Sequence, residues 1–426
     1  MSPNNNQKQS LGLLSLVLIA VVSVDSLRNL PIAAQYGFSL VTFYAIAGLT
    51  FFLPLAWITA RLVKQYPELG GSYVWIKRAF GHRFGYLSIL LQWLYNMIWY
   101  PTIFAFITAT LAPLISHDLE NNKWFILITS LVLFWLLSFL HCKGIRTSSW
   151  ISGFSAIIGT LIPMLLIISF AVYWLLSGKP SATPLTWSAL LPGSYDFKNI
   201  GFFSNILFSL LGLEVIAMHA SNVYNPRKTY PVALGISAIL ILLTIMCSSL
   251  ALCVIMPAEK IILVSGLIDV LQVFFSAYHI QNISTIIGAC IIIGSLGIAS
   301  SWMIGLARGL QVALSSMNAP DWLQRLNKNQ MPSGVLFFQA VVFSFLLCSF
   351  LFFPNINHSY WILSAITAQF ALSYYVLLFL ASIKLLRQKK QSPINNILSI
   401  VLPGMGIIIG LLGVIVGFIP PDFMVK

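Results

Sequence analysis

Three ionisable side chains interrupt runs that are otherwise apolar. Asp25 and Arg28 stand in Val22-Ser23-Val24-Asp25-Ser26-Leu27-Arg28-Asn29-Leu30-Pro31, and Glu214 closes Phe208-Ser209-Leu210-Leu211-Gly212-Leu213-Glu214. A charge is costly to hold in an apolar segment, and where one persists it commonly marks a path for protons, ions or polar solutes. A carboxyl there can exchange protons or meet an ammonium group, and a guanidinium presents a planar fork that fits a second carboxylate. Pro31 removes a backbone donor and Gly212 weakens a helix, so both segments are candidates for broken backbone. A break frees amides and carbonyls, and Ser23 and Ser26 add hydroxyls beside the first one. The backbone of Leu211, Gly212 and Leu213 supplies the second set, amides suiting carboxylates and carbonyls suiting amines. Plainer readings stand beside these. Asp25 and Arg28, three apart, share one face of an intact helix and can form a structural ion pair. Glu214 can rest protonated against Ser209 or a neighbouring span, and the serines can be ordinary packing residues.

A second tier of candidates surrounds these. His219, five residues past Glu214, can relay protons or simply pack. Trp93, Tyr95, Asn96, Trp99 and Tyr100, followed by Pro101 as a kink, read as a cavity wall or as an interfacial aromatic belt. Trp302, Tyr374 and Tyr375 carry the same two readings. The five cysteines, Cys142, Cys247, Cys253, Cys290 and Cys348, form no CxxC pair and read as small apolar residues. No metal, no disulfide and no cofactor are expected.

The elements that must position these residues follow from composition. Of 426 residues 58% are apolar and only 8% charged, with a mean hydropathy of +0.90. Charge so sparse cannot coat a soluble surface, which excludes a cytosolic enzyme, a disordered tail and a disulfide-stapled secreted domain. Eleven apolar stretches are each long enough to cross a bilayer, near 12–34, 38–60, 84–115, 123–141, 150–177, 199–222, 232–256, 284–308, 334–354, 359–386 and 396–418. They are continuous runs, unlike the alternating segments of a β-barrel. The first follows a polar head and has no small-residue cleavage site before Asp25, so it is expected to stay in the membrane.

Net charge is +13. With the N-terminus in the cytoplasm and loops alternating, seventeen Lys/Arg fall inside, five outside, and Arg28 within a span. This bias predicts the orientation and explains the charge without nucleic acid. The bilayer expected is a bacterial inner membrane. No GxxxxGK[ST] occurs, so no nucleotide-driven pump is expected within this chain. Six histidines and ten acids are scattered, which argues against a membrane-bound transferase.

Two polar loops, 61–83 and 257–283, each follow a second span and precede a third if the chain is cut near residue 198. The first is basic and apolar by turns and reads either as an amphipathic helix on the inner face or as a solvated loop, bent at Gly70-Gly71. The predicted organisation is a cytoplasmic head (1–11), a five-span unit (12–198), a second five-span unit (199–391), and an eleventh span with an outer tail (392–426). Five is odd, so the two units enter the membrane from opposite sides. Such inverted repeats are common in secondary transporters, with the site at the midplane between the broken first spans of each unit.

Four blocks now carry a resemblance. They are Arg28-Asn29-Leu30-Pro31 with Tyr36-Gly37-Phe38-Ser39; Tyr66-Pro67-Glu68-Leu69-Gly70-Gly71-Ser72-Tyr73-Val74-Trp75 with Phe80-Gly81; Gly212-Leu213-Glu214 with Asn225-Pro226-Arg227-Lys228; and Met331-Pro332. From about residue 12 to 418 the chain resembles the amino acid–polyamine–organocation superfamily, and within it the glutamate/γ-aminobutyrate antiporter group. The resemblance implies an all-α LeuT-type fold, with spans 1 and 6 unwound around one amino acid, and Glu214 in gating or substrate contact. The family's first unwound segment is commonly Gly-Ser-Gly, and Val24-Asp25-Ser26 stands there instead. Relatives typically have twelve spans, so the twelfth is expected to be absent.

The implied function is secondary amino-acid transport by alternating access, with exchange of a glutamate-like amino acid for a related amino acid or amine. Proton-coupled symport remains an alternative, as does a truncated transporter-like sensor or remnant. The expected partners are an amino-acid substrate, protons as coupling ion and the lipid bilayer, and oligomeric state is not legible.

Overall fold

The computed structural model describes residues 12–66, 71–119, 122–144, 157–223, 226–280, 283–315, 319–353, 355–388 and 392–425, and all are helical or connecting segments. The predicted head, 1–11, lies outside the described residues. Nine helices among them are long and apolar enough to cross a bilayer: Gly37–Gln65, His82–Ile115, Lys123–Cys142, Ile157–Leu176, Lys228–Ile255, Ile283–Ser315, Ser333–Phe352, Ile356–Arg387 and Pro393–Val416. Numbered by the eleven apolar stretches of the sequence, they are spans 2 to 5 and 7 to 11.

Spans 1 and 6 are the interrupted ones. Span 1 runs as a helix over Leu13–Val24, turns through Leu27–Asn29 and resumes over Leu30–Ala34. Span 6 runs over Phe202–Ser209, breaks, and continues as a tighter 3-10 coil over Leu213–Asn222. Pro31 begins the second helix of span 1 rather than breaking the first, a position where its missing donor leaves no bond unmade.

The core gathers around these breaks. The first half of span 1 packs against span 7 and the coiled half of span 6. Span 10 packs against spans 3 and 11, and span 3 also packs against span 8. Spans 5 and 8 cross where a β-carbon on Gly159 would stand 2.0 Å from Gly294 Cα, so no other residue fits that crossing. Lipid-facing ridges carry exposed apolar residues such as Ile128, Val132, Leu136 and Phe139 on span 4.

The loop at 61–83 holds the helix Gly71–Phe80, which packs against spans 3 and 10. Its Trp75 and Ile76 are buried and its Ser72 accepts from Tyr374 Oη at 2.5 Å. It is therefore a helix docked on spans 3 and 10, with a buried face and a basic face, and not a solvated loop. Gly71 takes a positive φ, while Gly70 lies outside the described residues. The loop at 257–283 holds a second apolar helix, Gly266–Ala277.

Candidate functional site

The first break lies at Asp25-Ser26. Asp25 N–H still donates to Val21 O at 2.8 Å, but Asp25 and Ser26 are extended, with ψ of 126° and 120°. The second break lies at Gly212, whose φ of +110° is a left-handed corner open to glycine. The breaks meet: a β-carbon on Gly212 would stand 2.8 Å from Ser23 O. Here glycine answers two demands at once, backbone angle and close approach.

Each ionisable group at the breaks is buried, and each is held by neutral partners. Asp25 Oδ2 accepts from Thr244 Oγ1 of span 7 at 2.9 Å, and Oδ1 has no hydrogen-bond partner among the described residues. Glu214 Oε2 accepts from Tyr375 Oη of span 10 at 2.6 Å, and Oε1 has no hydrogen-bond partner among the described residues. The same Tyr375 oxygen accepts from Gly212 N–H at 2.8 Å, so one hydroxyl clasps both the corner and the acid. Arg28 donates from one terminal nitrogen to Thr102 Oγ1 at 2.5 Å and Ser364 Oγ at 3.4 Å, and from the other to Asn29 Oδ1 at 2.9 Å. Its Nε has no hydrogen-bond partner among the described residues. The guanidinium carbon lies 6.0 Å from the Trp99 ring centre and 5.7 Å from those of Phe208 and Tyr360, an aromatic cage suited to a cation. Tyr360 Oη donates to Arg28 O at 3.2 Å.

One plainer reading is corrected here, and a second is narrowed to its neighbouring-span alternative. Asp25 and Arg28 do not pair, because the extended break between them removes the helical register that would bring them face to face. Glu214 rests on Tyr375 and not on Ser209, whose hydroxyl donates to Ile206 O at 2.7 Å. The serine readings divide. Ser23 Oγ donates back to Ile19 O at 2.6 Å, while its carbonyl faces Gly212. Ser26 is half-buried at the break itself, and Val24, Leu211 and Leu213 are buried beside the two breaks.

The aromatic cluster of span 3 splits by helical face. Tyr95, Trp99 and Thr102 recur at four and three residues and turn toward spans 1 and 10, with the Tyr95 ring 6.3 Å from Tyr374 and Trp99 beside Arg28. Trp93 and Tyr100, seven apart, turn away: Trp93 stacks on Phe338 at 5.5 Å and Tyr100 meets Phe134 at 5.4 Å. Asn96 is buried and donates to Gln92 O within its own helix at 2.9 Å. Trp302 is half-buried and packs against the hydrophobic core. The side chain of His219 lies outside the described residues. Span 3 stays helical through Pro101.

The partners that sequence reasoning missed are Thr244, Thr102, Ser364 and Tyr360. A threonine seven residues past Tyr95 and three past Trp99 was a legible signal, since those spacings put all three on one face. Thr244 and Ser364 had no such signal. Among the described residues no group of three His, Cys, Asp or Glu is placed to hold a metal.

Known proteins resemble this arrangement along the whole chain. A family model described as amino acid permease matches residues 11–425. An uncharacterized transporter of Legionella pneumophila is 43% identical over 98% of this chain and 91% of its own length. The glutamate/γ-aminobutyrate antiporter of Lactococcus lactis is 23% identical over 99% of this chain and 86% of its own. A probable agmatine/putrescine antiporter of the same species is 27% identical over 91% of this chain and 82% of its own. Among solved structures, the crystal structure of MhsT in complex with L-phenylalanine superposes with a TM-score of 0.64 at 13% identity, over 97% of this chain and all of that one. That likeness is one of fold, the LeuT-type arrangement that the sequence blocks implied.

Proposed function

The chain belongs to the amino acid permease family, and from that premise we propose that it is an obligatory exchanger, moving a glutamate-like amino acid against a related amino acid or a carboxylate-bearing amine such as γ-aminobutyrate by alternating access. Arg28 carries this reading. It is fully buried, and among the described residues no carboxylate pairs with it. Asp25 and Glu214 can discharge themselves by taking protons, but a guanidinium keeps its charge. An empty carrier must therefore change shape around an uncompensated cation, whereas a carrier loaded with an anionic group need not. A unit charge pair about 4 Å apart is worth roughly 4 kcal/mol at an effective dielectric of about 20. Taken from a barrier, that is a factor of about 10³ in rate. The loaded carrier crosses and the empty one stalls, which is exchange.

The remaining roles follow from geometry. The Gly212 amide, once the Tyr375 clasp opens, and the amides around Ser26 suit the α-carboxylate, and carbonyls such as Ser23 O suit the ammonium group. Tyr95, Trp99 and Tyr374 line the approach, and the clasp of Tyr375 on Glu214 and Gly212 holds the second break. The span-6 acid gates by breaking that clasp. The bilayer lies around the two five-span units, 12–198 and 199–391, with the N-terminus inside.

Uptake of labelled glutamate into proteoliposomes, empty or preloaded with glutamate or γ-aminobutyrate, tests the reading at outside pH 5 and 7, with Glu214→Gln alongside. Preloading is expected to stimulate uptake at least tenfold in the native chain and much less in the variant. The bare Glu214 Oε1 and Asp25 Oδ1 favour one rival, proton symport. Uptake indifferent to preloading yet driven by an imposed proton gradient would establish that rival and remove exchange.

A further inference from the structure

Away from the breaks, spans 2 and 7 leave an open groove of about 420 Å³ between them. Its floor is made of small residues, Ala56 and Ala60 on span 2 and Gly235 on span 7. A β-carbon on Gly235 would meet nothing within 4 Å, so the space over it is empty. One end carries Trp57, Arg61 and Lys64. From Leu53 to Lys64 the groove follows span 2 for about 16 Å at the helical rise. The neighbouring ridge of span 7 is apolar and outward-facing: Val232, Ile236 and Ile239 are each about half exposed.

The two cations are placed differently. Arg61 is fixed, donating to Asn395 Oδ1 of span 11 at 2.6 Å with its guanidinium carbon 5.0 Å from the Trp57 ring centre. Lys64 is exposed one turn further on. Neither makes an ion pair among the described residues. Lys228, exposed at the start of span 7, stands at the same end, one turn before the lining residue Pro231. An apolar trough about half a bilayer long, opening on an apolar surface and ending in unpaired cations, has the polarity of a lipid: chains along the trough, phosphate at the cations. The cations sit at the helix ends assigned to the inner face, where anionic lipids raise the local density of such headgroups.

We propose that this groove is a binding site for one anionic phospholipid, its phosphate held by Arg61 and Lys64 and one acyl chain seated over Gly235. The reading is independent of what the protein transports. Charge complementarity selects the occupant, because a zwitterionic lipid brings its own cation to the phosphate and gains less from Arg61 and Lys64.

Thermal unfolding of the purified full-length chain in detergent, titrated with phosphatidylglycerol, phosphatidylcholine or sn-glycerol 3-phosphate, tests this. Phosphatidylglycerol alone is expected to raise the midpoint. Two variants probe the two ends. Arg61→Gln with Lys64→Gln is expected to weaken the apparent affinity about 30-fold, from roughly fivefold per cation removed beside an anionic group. Gly235→Leu fills the trough without touching a charge and should abolish the shift, while the lipid-free midpoint does not fall, because glycine is the poorer helix former. Equal shifts with both lipids overturn the proposal. So does an undiminished shift in either variant, and a shift with glycerol phosphate equal to that with phosphatidylglycerol would assign the cations to a free anion instead.

Discussion

The clasp of Tyr375 on the second break permits a measurement of its strength. Tyr375 Oη donates to Glu214 Oε2 at 2.6 Å and accepts from Gly212 N–H at 2.8 Å, all three groups being buried. Tyr375→Phe removes one oxygen and strands two partners. Each stranded buried group costs about 1–3 kcal/mol, so the variant should lose roughly 2–4 kcal/mol after local relaxation. Glu214→Leu strands only the tyrosine hydroxyl, which keeps its bond from Gly212. In the double variant the Tyr–Glu bond has lost both partners, and only Gly212 N–H remains orphaned. The double variant should then cost less than the sum of the single ones by about 1–3 kcal/mol. Unfolding of the four proteins in mixed micelles of increasing denaturing detergent measures the cycle. Additivity within about 0.5 kcal/mol would refute the clasp, since two residues in direct contact through a buried bond must couple by more than that. In liposomes, the same Tyr375→Phe should slow exchange even at saturating substrate, because it frees the corner that the substrate is proposed to reorganise.

Four further outcomes follow, three at the breaks and one, as a control, at the groove. Gly212→Ala should be destabilised by about 2 kcal/mol or more and lose exchange, because φ is +110° and the new carbon would meet Ser23 O at 2.8 Å; Gly235→Ala, with open space at its β-carbon, should be neutral or slightly stabilised in the same thermal assay. Arg28→Lys replaces a fork that bonds Thr102, Ser364 and Asn29 together by a single ammonium that cannot; the expected result is a roughly 30-fold rise in KM for glutamate, about 2 kcal/mol, in initial-rate uptake. Thr244→Val keeps the side-chain shape but removes the one donor to Asp25, and it should lower stability by about 1–3 kcal/mol where Thr244→Ser does not, read from the same unfolding curves.

The spans were legible because a bilayer demands about 20 apolar residues in a row, a signal that tertiary contacts cannot overrule. The apolar stretches at 123–141 and 359–386 became Lys123–Cys142 and Ile356–Arg387, with no end moved by more than three residues. The breaks were legible as well, though for unequal reasons. Gly212 sits at its corner as its backbone freedom suggests, whereas the first break lies six residues before Pro31, at a serine and an aspartate with no such mark. What was not legible is who holds the charges. Thr244 lies 219 residues from Asp25 in sequence and Ser364 lies 336 from Arg28. Small hydroxyls are scattered through most spans, so nothing in one chain says which of them turns to a charge. The helix at Gly71–Phe80 was read too loosely for a related reason: its basic residues advertise solvent, while Trp75 on the other face is buried.

The choice of hydroxyls as partners bears on how the proposed exchanger would work. A carboxylate paired with a buried arginine is locked, because separating them leaves two uncompensated charges. A hydroxyl makes no such demand. The Thr244 and Tyr375 oxygens can donate to an ionised carboxyl or accept from a protonated one, so Asp25 and Glu214 keep a partner through a change of protonation. Thr102 and Ser364 likewise hold the Arg28 guanidinium in place without cancelling its charge. The three ionisable groups at the breaks are thus oriented but not neutralised. In the proposed cycle the substrate completes them: its carboxylate offsets Arg28, its ammonium group meets the acids, and the balance is lost whenever it leaves. An ion pair between Asp25 and Arg28 would have removed that dependence, and the extended backbone at Asp25-Ser26 is what keeps the two apart.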